Sequence, residues 1–241
     1  ETYDSLFTYG IWRWVDLVAW NISHINKETQ FDLRIPWEII KIETKLKWDF
    51  NISNILAAIW VFRTLWIESK LIKKAIKEIT LVPWRFESIE NKLGIDIIVD
   101  YAHTADALEK VLTTIKWLKW INKIITVFWA TWDRDKSKRP IMWQIVEKYS
   151  DTIILTQDDD YSENTLKIIE DVKKWINRKD WNGFFVIPTR KQAIQTAILT
   201  AEKNDLILVA WKWDEHVLVT NEWQVVWHDK TIIKEILNWI K

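Results

Sequence analysis

The chain has 241 residues, 49% hydrophobic and 28% charged, with 34 Lys and Arg set against 34 Asp and Glu. This is the composition of an ordinary globular chain with room for one or two domains, and its balanced charge excludes a general binder of nucleic acid or of an acidic membrane surface. There is no cysteine, so disulfides, thiolate catalysis and zinc–thiolate sites are excluded as well.

No apolar run approaches the roughly 18 residues of a membrane span, and no signal-peptide pattern opens the chain. A cytoplasmic setting is therefore expected. The chain starts at Glu1-Thr2-Tyr3 without a methionine, which suggests a fragment.

From Leu6 to Leu46 the chain runs through short β-like stretches, among them residues 15–19, 29–33 and 39–43. In the last of these, Ile40, Ile42 and Thr44 alternate with Lys41, Glu43 and Lys45, the pattern of a half-exposed strand. Residues 50–62 then carry apolar side chains at helical spacing, with Asn51 or Ser53 as the expected cap. A second helix over 67–79 follows. Leu81-Val82-Pro83-Trp84-Arg85-Phe86 breaks the pattern, and a domain boundary is expected near Val82.

Beyond Phe86 the order becomes regular. Strands are expected at 95–99, 124–128, 152–156, 184–187 and 206–210. Helices are expected at 105–116, 141–149, 165–176 and 190–201, and a tail over 222–227 and a helix over 231–240 close the chain. Strands alternating with helices predict βαβ units and a mostly parallel sheet.

Three of these strands empty into polar sequence: Val99-Asp100-Tyr101-Ala102-His103-Thr104, Phe128 to Pro140 around Asp133-Arg134-Asp135-Lys136, and Ala210-Trp211-Lys212-Trp213-Asp214-Glu215. Open α/β sheets bind ligands at such strand ends. If the three strands are neighbours, their polar ends share one rim.

The loops are unusual in one respect. A strand-to-helix loop that approaches an anionic ligand normally needs glycine, which alone accepts positive φ freely and lets backbone N–H groups come close. Here tryptophan stands at 129, 132, 211 and 213, and recurs in the turn contexts 118–123, 179–183 and 220–224, where turn chemistry asks for glycine. The chain holds 20 Trp and 3 Gly, against an average glycine usage of about 7%. Most of these tryptophans are read as standing for glycine, from a gene in which UGA encodes glycine.

With that reading, Val82-Pro83-Trp84-Arg85-Phe86-Glu87 resembles the VPGRFE motif of the Mur ligases. Residues 99–109 resemble their VDYAHTPDALE run, residues 128–142 FGxxGDRDKxKRPxM, residues 210–215 AGKGHE, and residues 50–58 FNxxNxxAA. The five motifs occur in the family's order and cover nearly the whole chain. The branch most similar is the one that adds the third residue of the peptidoglycan stem peptide.

The resemblance implies an α/β chain: the end of a central ATPase domain, 1–82, then a Rossmann-like C-terminal amino-acid-binding domain, 83–241, with a mostly parallel sheet and flanking helices. It implies an ATP-dependent ligase using Mg²⁺, acting on a UDP-MurNAc-dipeptide and a diamino acid, as a monomer, with no nucleic acid or membrane partner. Asn51 and Asn54 would lie near the adenine, Arg85 and Asp100 near the adenine and ribose, and His103 near the nucleotide. Arg134 would grip the carboxylate of the incoming amino acid, Glu215 would hold its ammonium end, and Trp211 and Asp158, Asp159, Asp160 and Tyr161 would line its site.

Each assignment has a plainer counterpart. Asn51 and Asn54 also suit a helix cap, His103 a hydrogen-bonded strand end, Asp133 to Lys136 a solvated loop of self-paired charges, and Arg85 with Glu87 an interdomain ion pair.

Two departures bear on substrate and turnover. Relatives that take meso-diaminopimelate carry Asp-Asn-Pro-Arg where this chain reads Asp158-Asp159-Asp160-Tyr161, and the histidine of AGKGHE is Asp214 here. Loss of that arginine makes lysine as suitable a substrate, since three acids would suit an ammonium group. The phosphate-cradling Gly-x-x-x-x-Gly-Lys-[Ser/Thr] loop does not occur even with every Trp read as Gly, so the chain by itself is expected not to ligate. A nonenzymatic nucleotide- or amino-acid-binding module and a folate-polyglutamate-type ligase remain the alternatives.

Overall fold

The computed structural model describes residues 7–12, 14–25, 28–36, 38–46, 48–80, 82, 86–129, 139–156, 178, 182–210, 217–219 and 224–240. It divides into two compact units, Glu1–Val82 and Pro83–Lys241.

The first unit is a four-stranded sheet backed by two helices. Its strands are β1 (Tyr9–Ile11), β2 (Leu17–Ile25), β3 (Glu28–Ile35) and β4 (Glu38–Thr44), in that spatial order, with β2, β3 and β4 antiparallel. The alternation at 40–45 places Ile40, Ile42 and Thr44 inside and leaves Lys41 and Lys45 exposed, as the two-residue period of a strand requires. Helices α1 (Asp49–Thr64) and α2 (Ser69–Glu78) follow. Ile52, Ile55, Leu56 and Ile59 of α1 and Ile72 and Ile76 of α2 join Leu17, Phe31, Leu33, Ile35 and Ile42 in one core.

The expected cap of α1 is corrected. Asn51 and Ser53 lie inside the helix, and Trp48 occupies the N-cap position without a side-chain capping bond. The helix starts where the backbone turns, two residues before the sequence offers a capping side chain.

The second unit is built on a six-stranded sheet: β5 (Glu87–Ser88), β6 (Asp96–Asp100), β7 (Ile124–Trp129), β8 (Thr152–Thr156), β9 (Phe184–Val186) and β10 (Leu206–Ala210), in the order β5-β6-β10-β7-β8-β9. All pairings are parallel except that of the edge strand β5 with β6. Helices α3 (Ala105–Lys116), α4 (Arg139–Tyr149), α5 (Arg190–Thr200) and α6 (Asp229–Trp239) flank it. A separate hairpin pairs β11 (Val217–Val219) with β12 (Gln224–Val226). The helix expected over 165–176 lies outside the described residues.

Strand β10 explains the run Leu206-Ile207-Leu208-Val209-Ala210. It is central, lies between two parallel neighbours, and all five residues are fully buried. A strand covered on both faces reads as a continuous apolar run. Ile97, Val99, Ile125, Val127, Ile207 and Val209 pack with Ala193, Ile194, Ala197 and Ile198 of α5 and Ile233 and Ile236 of α6 in one core. On α4, Trp143 meets Phe128 of β7 edge-on at 4.9 Å between ring centroids.

The same core holds one buried ion pair. Arg190 is fully buried, and its Nε and Nη2 donate to the two carboxylate oxygens of Asp229 at 2.8 and 2.6 Å. Its Nη2 also donates to the Ala210 carbonyl at 3.2 Å, and the Trp227 indole N–H donates to Asp229 at 2.8 Å. One guanidinium thus joins the start of α5, the end of β10 and the start of α6.

Removing one partner of a buried pair leaves an uncompensated charge, at a cost of about 3–5 kcal/mol. Arg190→Met is expected to lower stability by about that amount in urea titration, and Arg190→Met combined with Asp229→Leu by clearly less than the sum of the two single changes.

In the first unit, Asp16 accepts bonds from the Thr8 backbone N–H and from its hydroxyl, both at 2.8 Å. The backbone bond first, and the hydroxyl second, hold its carboxyl below the usual aspartate value. A depressed carboxyl contributes stability above its unfolded pKa and loses it as pH falls through the folded value. Asp16→Ala is therefore expected to destabilise at pH 7 and progressively less as the pH falls through the depressed folded value of the carboxyl. Urea titration over a descending pH series checks this.

Candidate functional site

Parallel pairing brings four strand ends to one edge of the second unit. Ala210 pairs with Asp100, Val209 with Val127, and Trp129 with Thr156. The C-terminal ends of β6, β10, β7 and β8 therefore stand side by side. The three strands that the sequence shows ending in polar residues are therefore neighbours, and β8 adds a fourth; of the stretches that follow them, 101–104 is described, whereas 130–138, 157–161 and 211–216 lie outside the described residues. In an α/β sheet this is the edge where ligands bind.

On the described part of the rim, Asp100 is buried and its Oδ2 accepts the Phe86 N–H at 2.6 Å. The carboxylate at the end of β6 thereby fixes the residue next to Arg85. Phe86 has a φ of 52°, a backbone state uncommon for a bulky residue, and a charge-assisted bond of this kind is among the stronger ones available to hold it.

His103 is half-buried. Its Nδ1 lies 3.1 Å from the Tyr101 carbonyl, and its ring tilts against that of Tyr101 with centroids 4.3 Å apart. A carbonyl only accepts, so Nδ1 is the donor in this bond. Thr104 then caps α3, its hydroxyl accepting the Ala107 N–H at 3.2 Å. A short segment thus orients the imidazole and starts the helix.

Asn51 and Asn54 lie in the first unit, in the first turns of α1. Asn51 is buried and Asn54 exposed within that unit, because residues three apart on a helix do not share the same depth when the apolar stripe passes beside them. Arg85, Arg134, Asp158, Asp159, Asp160, Tyr161, Trp211 and Glu215 lie outside the described residues.

Glu87, weighed in the sequence as an interdomain partner of Arg85, is buried and accepts a bond from Lys230 of α6, within its own unit. Sequence reasoning also missed Arg190 and Asp229. The available signal was phase: Arg190 falls on the stripe of Ala193, Ile194, Ala197 and Ile198, and a charge on an apolar stripe needs a buried partner.

Among the described residues no group of three His, Cys, Asp or Glu gathers as metal ligands, so no described cluster fits Mg²⁺. Also among them, no helix is long and apolar enough to cross a membrane.

The family description "Mur ligase, glutamate ligase domain" matches residues 84–211, more than half of the chain. The UDP-N-acetylmuramoyl-L-alanyl-D-glutamate–2,6-diaminopimelate ligase of Fusobacterium nucleatum is 38% identical over 227 residues, covering 91% of this chain and 46% of the relative. That of Clostridium tetani is 33% identical over 240 residues, covering 98% and 48%. A solved ligase of the same name matches with a TM-score of 0.66 at 25% identity, over 97% of this chain and 48% of that one. The MurF ligase from Thermotoga maritima, solved in complex with ADP, shares the fold with a TM-score of 0.63 at 16% identity, over 94% and 48%. The chain spans about half the length of the relatives it matches. A parallel sheet whose strand ends meet at one edge, a match over more than half of the chain and 38% identity to a named relative together make this chain a member of the Mur ligase family.

Proposed function

We propose that the chain supplies the end of the central domain and the amino-acid-binding domain of an ATP-dependent ligase, which adds a diamino acid to a UDP-MurNAc-dipeptide in peptidoglycan precursor synthesis. The observation that carries this reading is the shared edge of β6, β10, β7 and β8, since the motifs for nucleotide and for amino acid leave from those ends. The names of relatives 33–38% identical agree with it.

In the proposed reaction the dipeptide carboxylate takes the terminal phosphoryl group of ATP, and ADP leaves. The amine of the incoming amino acid, having lost its proton, attacks the acyl carbon, and phosphate departs as the amide forms. Catalysis of this kind rests on positioning and charge neutralisation. Arg134 would grip the carboxylate of the amino acid with its guanidinium fork, and Glu215 its ammonium end, beside Trp211. Asn51 and Asn54 would serve the adenine, the exposed Asn54 more directly than the buried Asn51. His103 would meet the nucleotide through an imidazole already oriented by Tyr101. Asp100 would act through the Phe86 backbone, holding Arg85 toward adenine and ribose. Mg²⁺ would come with the phosphates of ATP and neutralise their charge. The cytoplasmic setting and the monomeric state belong to the same proposal.

The substrate's far end is the open chemical choice within this reading. The relatives' names favour 2,6-diaminopimelate, whereas Asp158, Asp159 and Asp160 favour a cationic end such as that of lysine. Competition between the two amino acids decides it.

A second reading is a binding module without turnover. Binding of ATP by the whole gene product without phosphate release would select it.

For the ligase, the whole gene product is expected to release phosphate only when ATP, the dipeptide and a diamino acid are all present, and the 241-residue chain alone to release none. Release independent of the dipeptide would sink the proposal. Arg134→Ala is expected to raise the KM for the amino acid about tenfold or more, the loss of a charged hydrogen bond being about 1.5–3 kcal/mol, while the KM for ATP stays near its starting value. Steady-state kinetics on both substrates checks this.

A further inference from the structure

Six non-glycine residues among those described have positive φ: Trp12, Asn21, Trp48, Trp66, Phe86 and Asn204. Asparagine is the ordinary exception in this region. Tryptophan has no side-chain chemistry that compensates for it, and an L-residue there sets Cβ against the neighbouring carbonyl, costing about 1–2 kcal/mol. Three of the six are nevertheless tryptophan, while Gly94 and Gly183 occupy the same region at φ 75° and 71°.

Trp66 gives the clearest case. Helix α1 ends at Thr64 with Leu65 as its C-cap; the Trp66 N–H donates to the Arg63 carbonyl at 3.1 Å and the Ile67 N–H to the Phe62 carbonyl at 3.0 Å. These are the paired bonds of the Schellman helix ending, in which the residue after the cap is left-handed and is most often glycine. Trp66 holds that position at φ 62°, and the residue is 92% exposed. The indole therefore contributes almost no burial to offset the strain.

Trp48 starts the same helix at φ 79° and ψ 142°, at the edge of a region that is essentially restricted to glycine. Its carbonyl accepts the N–H of Asn51 and of Ile52. Trp12, at φ 54° and exposed, donates its N–H to the Ala19 carbonyl where β1 leads into the turn.

The opposite case is Trp227. It is buried, its backbone is not left-handed, and its indole N–H bonds Asp229 beside Arg190. A glycine there would remove a donor from the buried ion pair and leave a void. The turn at 118–123 shows that a turn context alone does not decide: φ at Trp120 is not positive, and its indole N–H donates to Asp96 at 3.2 Å.

We propose that the gene specifies glycine at residues 12, 48 and 66 through UGA triplets read as glycine in the native host, and tryptophan at residue 227. The criterion at 12, 48 and 66 is the left-handed backbone, and at 227 a buried indole bonded to Asp229. It stands independently of the ligase reading, because it rests on φ, burial and hydrogen bonds alone.

Peptide mass spectrometry of the native protein is expected to give glycine at 12, 48 and 66 and tryptophan at 227. Tryptophan at any of the first three, or glycine at 227, overturns the assignment. A second measurement uses the recombinant chain with Trp66→Gly and, separately, Trp66→Ala. The glycine variant is expected to raise the folding constant about fivefold or more over the tryptophan chain, with alanine well short of it, because alanine keeps the Cβ that clashes. An alanine variant as stable as the glycine variant would mean that the indole alone was at fault and would overturn the backbone argument.

Discussion

The second unit depends on how strand β10 is covered and closed. Its five residues are fully buried between two parallel neighbours, which supplies on the order of 1.5–3 kcal/mol for each large side chain removed from water. A strand so placed ends in a carbonyl that water does not easily reach, and Ala210 finds a buried guanidinium instead. Arg190 cannot be buried without a counter-charge, so Asp229 must be at hand, and the start of α6 is fixed beside the start of α5. The rim from which residues 211–216 leave is thereby tied to two helices.

The neighbouring strand ends follow from the same geometry. With β10 between β6 and β7, the parallel register sets Asp100 opposite Ala210 and Val127 opposite Val209. Asp100 then turns its carboxylate to the Phe86 backbone, and Tyr101 and Thr104 on either side of His103 set the ring and start α3. Backbone atoms take part in placing both groups, the Phe86 N–H for Asp100 and the Tyr101 carbonyl for His103.

The tryptophan positions divide along physical lines. Trp227 has burial and a hydrogen bond to offset the cost of a large side chain, whereas Trp12 and Trp66 are exposed at backbone angles that disfavour any Cβ. The helix ending at Trp66 forms its paired bonds all the same. The backbone geometry is set by the chain on either side, and the residue at the turn has to tolerate it.

The sequence by itself determined the order and period of the second unit. Helix 105–116, strand 152–156 and strand 206–210 were legible to the residue, the helix because Leu108, Val111, Leu112 and Ile115 recur at helical spacing, the strands because each is a short apolar run bounded by polar turns. It also determined that three strands end in polar sequence. The short elements escaped it: β5 has two residues and β11 and β12 three each, too few for any period to show. The cap of α1 escaped it because a cap is a backbone conformation first and a side chain second. Only the tertiary structure decided that β10 lies between β6 and β7, since strand order is set by packing across long separations in the chain. It alone decided that Arg190 meets Asp229 thirty-nine positions away, and that Asn51 is buried while Asn54 is not, since depth depends on which side of a helix the core happens to lie.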